Sequence, residues 1–519
     1  MVTKVKNIKT NGSRTANSIR NSFFAILENG VSNIASFICR TVFIYVLGKT
    51  YLGFSGLFSD ILTLLSLGEL GVGTAILHSM YEPASKNDIK TVAGMLNLYK
   101  KIYHTIGICV FGVGLCLTPF LDFFISDIPN MPELPYIYIL YLLNTSLSYF
   151  FIYKKSILIV YQQSYIFSII LMMSVVTQNV VQIIALLLTK NFLVYLLIQV
   201  LFTLIANFSV SKYVDRNYEF LEEYKKCNLD KSRKYKIFSD VKAMFVSKLS
   251  SAVVTSTDNL LISKFVSTVV LGLYSNYTLF TTMLRTIVTK IFEALTGSVG
   301  NLVVSENKTQ VYKSFRGIWF VNYWIVAFSC STLFALVNPF INIWIGETYI
   351  LNIEIVILIC FNLYMRLIRN TFLTFIDTYG LFKELRIKCI SEALINLIVS
   401  LILLIPLKLG VVGVLLGTSI SNILTNFWFE PYLLFTKKFD KKMTVYFGAF
   451  IKYFIVAVFT AIASYLVCDV FIVQSNIIWF IIRMIFCILF NNLIYCLVFN
   501  RDEEFLYFIQ AIKKVIRRA

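Results

Sequence analysis

SYIFSIILMMSVVTQNVVQIIALLLT, running from Ser164 to Thr189, carries no charged side chain in 26 residues. About 20 apolar residues suffice for a helix to cross the hydrocarbon core of a bilayer. In lipid only helices and closed barrels satisfy their own backbone hydrogen bonds, and barrel strands need roughly 10 residues. The stretch therefore reads as a membrane-spanning helix. Runs of the same kind recur at 21–47, 52–79, 102–126, 134–158, 164–189, 191–211, 243–266, 269–299, 316–338, 350–376, 387–406, 410–435, 444–468 and 475–499. The expected fold is an all-α polytopic membrane protein with about fourteen transmembrane helices. Composition agrees: 58% of the 519 residues are hydrophobic, 14% are charged, and the mean hydropathy is +0.75. An average soluble domain is about 45–50% apolar and about 25% charged.

Residues 1–20 are polar and basic, and the first apolar run reaches no small-residue cleavage site, so no signal peptide is expected. The ten cysteines lie mostly inside apolar runs, with no CxxC or metal-like pairing, and read as small packing residues.

Charge sets the orientation, because Lys and Arg collect on the cytoplasmic side. With the N-terminus inside and fourteen crossings, the inside segments hold 35 Lys and Arg. The outside segments hold 4: Lys49, Lys190, Lys264 and Lys408. A missed helix inverts every later loop and destroys that imbalance, so both termini are expected inside. The net charge of +19 is thus a topology signal, and nucleic-acid binding, the rival reading of a basic chain, is set aside.

The chain also contains a duplication. Leu52-Gly53-Phe54-Ser55 matches Leu271-Gly272-Leu273-Tyr274 at an offset of 219. Thr118-Pro119-Phe120-Leu121-Asp122 matches Asn338-Pro339-Phe340-Ile341-Asn342 at an offset of 220. Asn179, in a helix running to Lys190, matches Asn396, in a helix running to Lys408, at 217. The implied organisation is a basic N-terminus (1–20), a six-helix bundle (21–211), a solvated, partly helical linker (212–242), a second six-helix bundle (243–435), two further helices (436–499) and a basic tail (500–519). Six is even, so the bundles are parallel repeats, a common transporter plan with the substrate site between halves.

Ionisable side chains inside a bilayer are costly and face a cavity or a partner. The cations singled out within or beside the expected spans include Arg40, Lys248, Arg285, Lys290, Arg366, Arg369, Lys452 and Arg483; the acids include Glu28, Asp60, Glu69, Asp258, Glu293, Asp377 and Glu392. Lys248, Lys452, Arg483, Asp377 and Glu392 lie near helix ends and fit snorkelling to the interface. Arg40, Arg285 and Arg366 sit deeper. Asn29, Asn33, Ser36 and Arg40 share one face of the first span. Ser247, Ser251 and Asp258 hold the same phase on the seventh. Thr278, Thr282, Arg285, Thr289 and Glu293 form a face on the eighth, with Lys290 beside it. Interhelical polar packing explains such stripes; so does a hydrated cationic cavity, where guanidinium groups pair with phosphate. Asp60, Glu69, Asp258 and Glu293 are the candidates for ion coupling.

No soluble catalytic motif is present. There is no GxxxxGK[ST] loop, and His78 and His104 form no HExxH. No segment is large enough for a nucleotide-binding domain, so transport has to draw on a gradient. No cofactor or metal set emerges.

Ser250-Ser251-Ala252, Thr257-Asp258-Asn259-Leu260-Leu261-Ile262-Ser263 and Leu271-Gly272-Leu273-Tyr274-Ser275-Asn276-Tyr277 resemble the seventh and eighth helices of bacterial polysaccharide flippases. Gly68-Glu69-Leu70-Gly71-Val72-Gly73-Thr74-Ala75 and the six-plus-six-plus-two plan resemble the same branch of the multidrug/oligosaccharidyl-lipid/polysaccharide exporter superfamily, with its MATE-like architecture. The resemblance implies a flippase that moves undecaprenyl-pyrophosphate-linked oligosaccharides from the inner to the outer leaflet of the cytoplasmic membrane, for O-antigen, capsule or other exopolysaccharide. It implies that Arg40 and Arg285 engage the pyrophosphate; the polar faces and deep cations add Asn29, Asn33, Lys290 and Arg366 as candidate cavity residues. Its partners are the lipid-linked oligosaccharide, membrane lipids and polymerase or other polysaccharide-assembly proteins.

Two other classes remain open. An ion-coupled multidrug antiporter of the same superfamily has a similar core, usually twelve helices and a more acidic cavity. A membrane polysaccharide polymerase or glycosyltransferase usually carries a long external loop with catalytic Arg or Asp; the outside loops here are short.

Overall fold

The computed structural model describes residues 14–69, 72–125, 131–225, 227, 229–381, 384–470, 476–506 and 509. Lys4, Lys6, Lys9, Lys226, Lys383, Lys513, Lys514, Arg517 and Arg518, with Leu70 and Gly71, lie outside them, as do the side chains of Arg14, Gly68, Thr74, Lys236, Ser247, Lys248, Ser250, Ser251, Ala252 and Arg386.

Every regular element among the described residues is helical. The order is α1 (Arg14–Leu65), α2 (Val72–Ser85), α3 (Ile89–Leu117), α4 (Leu134–Tyr149), α5 (Lys155–Val160), α6 (Ser164–Thr189), α7 (Phe192–Asn217), α8 (Phe220–Glu223) and α9 (Lys231–Phe265). Then come α10 (Thr268–Ser305), α11 (Lys308–Ile345), α12 (Ile353–Leu367), α13 (Asn370–Thr378), α14 (Leu385–Leu404), α15 (Gly410–Leu424), α16 (Asn426–Lys437), α17 (Met443–Val470) and α18 (Ile477–Phe499). The outer faces are apolar: Leu188, Ile387 and Ile26 are 79%, 78% and 74% exposed, while Glu430, Asn322 and Asn491 are fully buried. That inversion is what lipid as solvent selects.

Twelve helices among the described residues are long and apolar enough to cross a membrane. The difference from fourteen has two physical sources. The first two expected spans share the run Arg20–Leu65, 46 residues long. At about 1.5 Å per residue it is roughly 69 Å, more than twice the ~30 Å hydrocarbon core. Gly48 breaks it, with φ 80° and ψ −172°, a conformation that costs a glycine little. The second expected span, 52–79, takes in a 3₁₀ turn, Ser66–Glu69, and the first part of α2. The seventh expected span is the C-terminal part of α9, helical but too polar to qualify on composition.

Short turns carry the remaining signals. Asn191 accepts from the amide of Leu193 (2.8 Å), Asn307 from that of Gln310 (2.9 Å) and Asn476 from that of Trp479 (3.0 Å), starting α7, α11 and α18. Asp88 caps α3 in the same way, and the hydroxyl and amide of Thr91 hold its carboxyl below the usual range. Lys190 and Lys408, matched by the repeat, both adopt left-handed φ, 50° and 52°, where their helices end. The 212–242 segment is partly helical and folds back on its neighbours: Asn97 Nδ2 donates to the carbonyls of Tyr224 and Cys227, both at 3.1 Å.

Two compact units emerge, Met1–Gly272 and Leu273–Ala519. In the first, α1 packs along α6 and against α9, while α4 and α6 pack on α7. In the second, α17 and α18 belong to the core. Tyr323 of α11 stacks on Tyr453 of α17 at 4.3 Å between ring centroids, and Trp324 donates to Asn492 of α18 at 2.8 Å.

Candidate functional site

The polar face of α1 begins with Asn29 and Asn33, both exposed, with Asn29 Nδ2 donating to the Ala25 carbonyl at 2.7 Å. Seven residues beyond Asn33, Arg40 turns inward beside the Tyr141 and Tyr195 hydroxyls. Tyr141 donates to Ser55 Oγ at 2.7 Å, and Gln182 Nε2 donates to the Tyr195 carbonyl at 3.1 Å. Cys39 is buried against the same Gln182. Asn179 reaches Ser36 Oγ at 3.4 Å, tying the stripe to α6. Arg40 is therefore a partly buried cation among polar side chains of the first unit.

The carboxylates of this unit occupy two places. Asp60 Oδ2 accepts from Asn259 Nδ2 at 2.7 Å, bringing α1 onto α9 beside Asp258, which is 9% exposed. Glu69, in the break after α1, accepts from the Tyr103 hydroxyl at 2.9 Å. Tyr103 packs edge-on against Tyr99 and Tyr149 at 4.5 and 5.8 Å. Gly73 makes room for them: a Cβ there meets the hydroxyls of Tyr99 and Tyr103 at 2.7 and 2.9 Å.

In the second unit the named residues are more dispersed. Arg285 is half-buried on α10. Lys290 and Glu293 form an exposed pair one turn apart, at 2.7 Å. Arg366 is exposed near the end of α12.

The densest charge cluster is one the sequence reading assembled only in part. Arg369, between α12 and α13, donates to Glu430 of α16 through Nε (2.9 Å) and Nη2 (2.6 Å), a bidentate pair. Lys388 of α14 donates to the same carboxylate at 2.9 Å and lies 3.2 Å from Glu392. Asn426 Nδ2 donates to Glu392 at 2.7 Å. Glu392 is thus held in an internal network rather than snorkelling to an interface. Lys388, at the start of the eleventh expected span, is 5% exposed at its side chain. Glu430 lies within the twelfth expected span, 410–435, and its signal in the sequence is that of an acid inside an apolar run. Two cations and two anions balance, and a cleft lined by Met365, Arg369, Phe372, Asn426, Glu430 and Tyr446 borders them.

Residues 18–296 match the family described as "Polysaccharide biosynthesis protein". No curated protein matches the chain. Among solved structures, the lipid II flippase MurJ in an inward closed conformation aligns with a TM-score of 0.64 at 17% identity, covering 92% of this chain and 99% of that one. An inward-facing multidrug resistance MATE family transporter of the MOP superfamily aligns at 0.58 and 12% identity, over 77% and 95%. A Vibrio cholerae MATE transporter aligns at 0.56 and 12%, over 81% and 97%. At these identities the likeness is one of fold: a multi-pass helical membrane protein of MATE-like architecture.

Proposed function

The chain belongs to the polysaccharide biosynthesis protein family, and from that premise we propose that it is a flippase carrying undecaprenyl-pyrophosphate-linked oligosaccharides from the inner to the outer leaflet of a bacterial cytoplasmic membrane. The observation that carries the reading is Arg40. The helix that opens the family match holds a guanidinium deep in its apolar length, beside two tyrosine hydroxyls, at the inner end of a polar stripe. A diphosphate needs such a donor, and a sugar head group needs the amides and hydroxyls along the way. Arg285 and Arg366 supply further cations; Asn29, Asn33 and Lys290 supply polar surface. The lipid tail stays in the bilayer while the head crosses by alternating access, and Asp60, Glu69, Asp258 and Glu293 are the groups through which an ion gradient drives it. Both termini face the cytoplasm, in keeping with the loop cations.

Reconstitution tests this. Proteoliposomes carrying a labelled undecaprenyl-pyrophosphate oligosaccharide expose the head group to an added lectin at a rate that depends on the protein. A rate equal to that of empty liposomes overturns the reading. The MATE likeness supports a second reading, ion-coupled drug export, for which the same vesicles accumulate a cationic dye instead.

A further inference from the structure

Two tyrosines flank Arg40, and their hydroxyls are committed differently. Tyr141 of α4 is 8% exposed and donates to Ser55 Oγ at 2.7 Å, so its proton is held inside the protein. Tyr195 of α7 is half-buried, and its hydroxyl stands 4.0 Å from the Cys39 thiol. Sulfur is a weak acceptor, and the same thiol faces Gln182 Oε1 at 3.9 Å. The phenol proton of Tyr195 is therefore one that a stronger acceptor can take.

The ring that carries this proton is well anchored. Lys190 closes α6 in the left-handed region, and Asn191 caps α7 on the amide of Leu193, which sets Tyr195 in the first turn. Its ring packs on Phe43 at 5.3 Å and on Phe192 at 6.0 Å between centroids. Its carbonyl accepts from Nε2 of Gln182, which is 1% exposed on α6. Ring and backbone are both fixed, so the hydroxyl is a preset point beside the guanidinium.

We infer that Tyr195 is a second donor to the diphosphate and the residue that selects a diphosphate lipid over a monophosphate one. The inference rests on the flippase reading, in which Arg40 meets the diphosphate. A guanidinium engages one phosphoryl group through two parallel hydrogen bonds. A diphosphate presents a second phosphoryl group next to the first, and the hydroxyl of Tyr195 donates to it. A hydrogen bond from a hydroxyl to an ionised oxygen is short and roughly twice as strong as a neutral one. A monophosphate occupies the guanidinium and leaves the phenol with its sulfur neighbour. Selectivity then comes from a donor that only one of the two ligands uses. Tyr141, whose proton goes to Ser55, supplies shape but no such donor.

A competition experiment tests the assignment. Tritiated undecaprenyl pyrophosphate on the purified full-length protein in detergent is displaced by unlabelled undecaprenyl pyrophosphate or undecaprenyl phosphate. Tyr195→Phe keeps the ring and its packing and removes the donor. It is expected to weaken the diphosphate about tenfold or more, as loss of a hydrogen bond to a charged group does, and to leave the monophosphate affinity unchanged. A ratio of affinities equal to the native one overturns the assignment, and so does an equal loss for both lipids, which is what a packing role alone gives. If Tyr195→Phe melts below the native protein, Tyr195→His is read instead, because it keeps a ring N–H at that position. Preference for the diphosphate in that variant supports the donor, and its loss overturns it. Native protein that binds both lipids equally removes the assignment and leaves the flippase reading standing. Native protein that binds neither removes that reading, and the assignment with it.

Discussion

Removing the charge of Glu430 is the sharpest perturbation this fold offers. Glu430→Gln leaves Arg369 and Lys388 buried with Glu392 as their remaining carboxylate, 3.9 and 3.2 Å away. The native carboxylate takes three donated hydrogen bonds, two from Arg369 and one from Lys388, and is fully buried. Breaking a buried pair by removing one partner costs about 3–5 kcal/mol, because a charge is left uncompensated in a low-dielectric interior. At about 1.4 kcal/mol per factor of ten, that is a loss of more than about a hundredfold in the folding equilibrium. Purified protein in detergent is expected to melt several degrees lower. The decisive comparison is a cycle with Lys388→Met. In the double variant one cation leaves with the anion, and Arg369 keeps Glu392. The double variant is therefore expected to be more stable than Glu430→Gln alone, with a coupling of about 0.5–3 kcal/mol. Melting temperatures for Glu430→Gln equal to the native protein, or a double variant whose loss is the plain sum of the singles, refute the network as a coupled unit.

Other substitutions separate binding from packing. Arg40→Ala with Arg285→Ala is expected to abolish surface polysaccharide at unchanged protein level; normal polymer on intact cells contradicts their role at the diphosphate. Tyr103→Phe removes a donor from Glu69 and is expected to destabilise by about 1–3 kcal/mol, read as a lower melting temperature; no change means that solvent already serves that carboxylate. Lys290→Ala breaks an exposed pair and is expected to shift stability by under about 0.5 kcal/mol; a large fall assigns it a partner elsewhere. Flipping in vesicles is expected to respond to an imposed pH or sodium gradient, and indifference to both removes the coupling role of Asp60, Glu69, Asp258 and Glu293.

Much of this fold was legible because lipid writes itself into sequence as length and apolarity. The run at 164–189 is α6 to the residue. The repeat could be read from glycines, prolines and turn lysines, and the left-handed Lys190 and Lys408 show why those turns look alike. The break between the first two spans, 21–47 and 52–79, was legible, and Gly48 with its φ of 80° is where the chain makes it. Partner choice was hidden altogether. Glu430 follows Phe427-Trp428-Phe429, and nothing local says that Arg369 and Lys388, dozens of residues away, will converge on it. The polar stripe of α1 was visible, but its inward turn at Arg40 depends on Tyr141 and Tyr195 from two other helices. Gly53 and Gly272 were landmarks in the sequence; that a Cβ on Gly272 would meet the amide nitrogen of Gly53 at 2.9 Å is a property of the folded chain alone.

The measurement that bears most directly on the central claim is leaflet transfer of a labelled undecaprenyl-pyrophosphate oligosaccharide in proteoliposomes, run with native protein and with Arg40→Ala. The account predicts protein-dependent appearance of the sugar in the opposite leaflet, and its loss with Arg40→Ala in protein of native melting temperature. Transfer no faster than in protein-free liposomes, or transfer unchanged by Arg40→Ala, contradicts it.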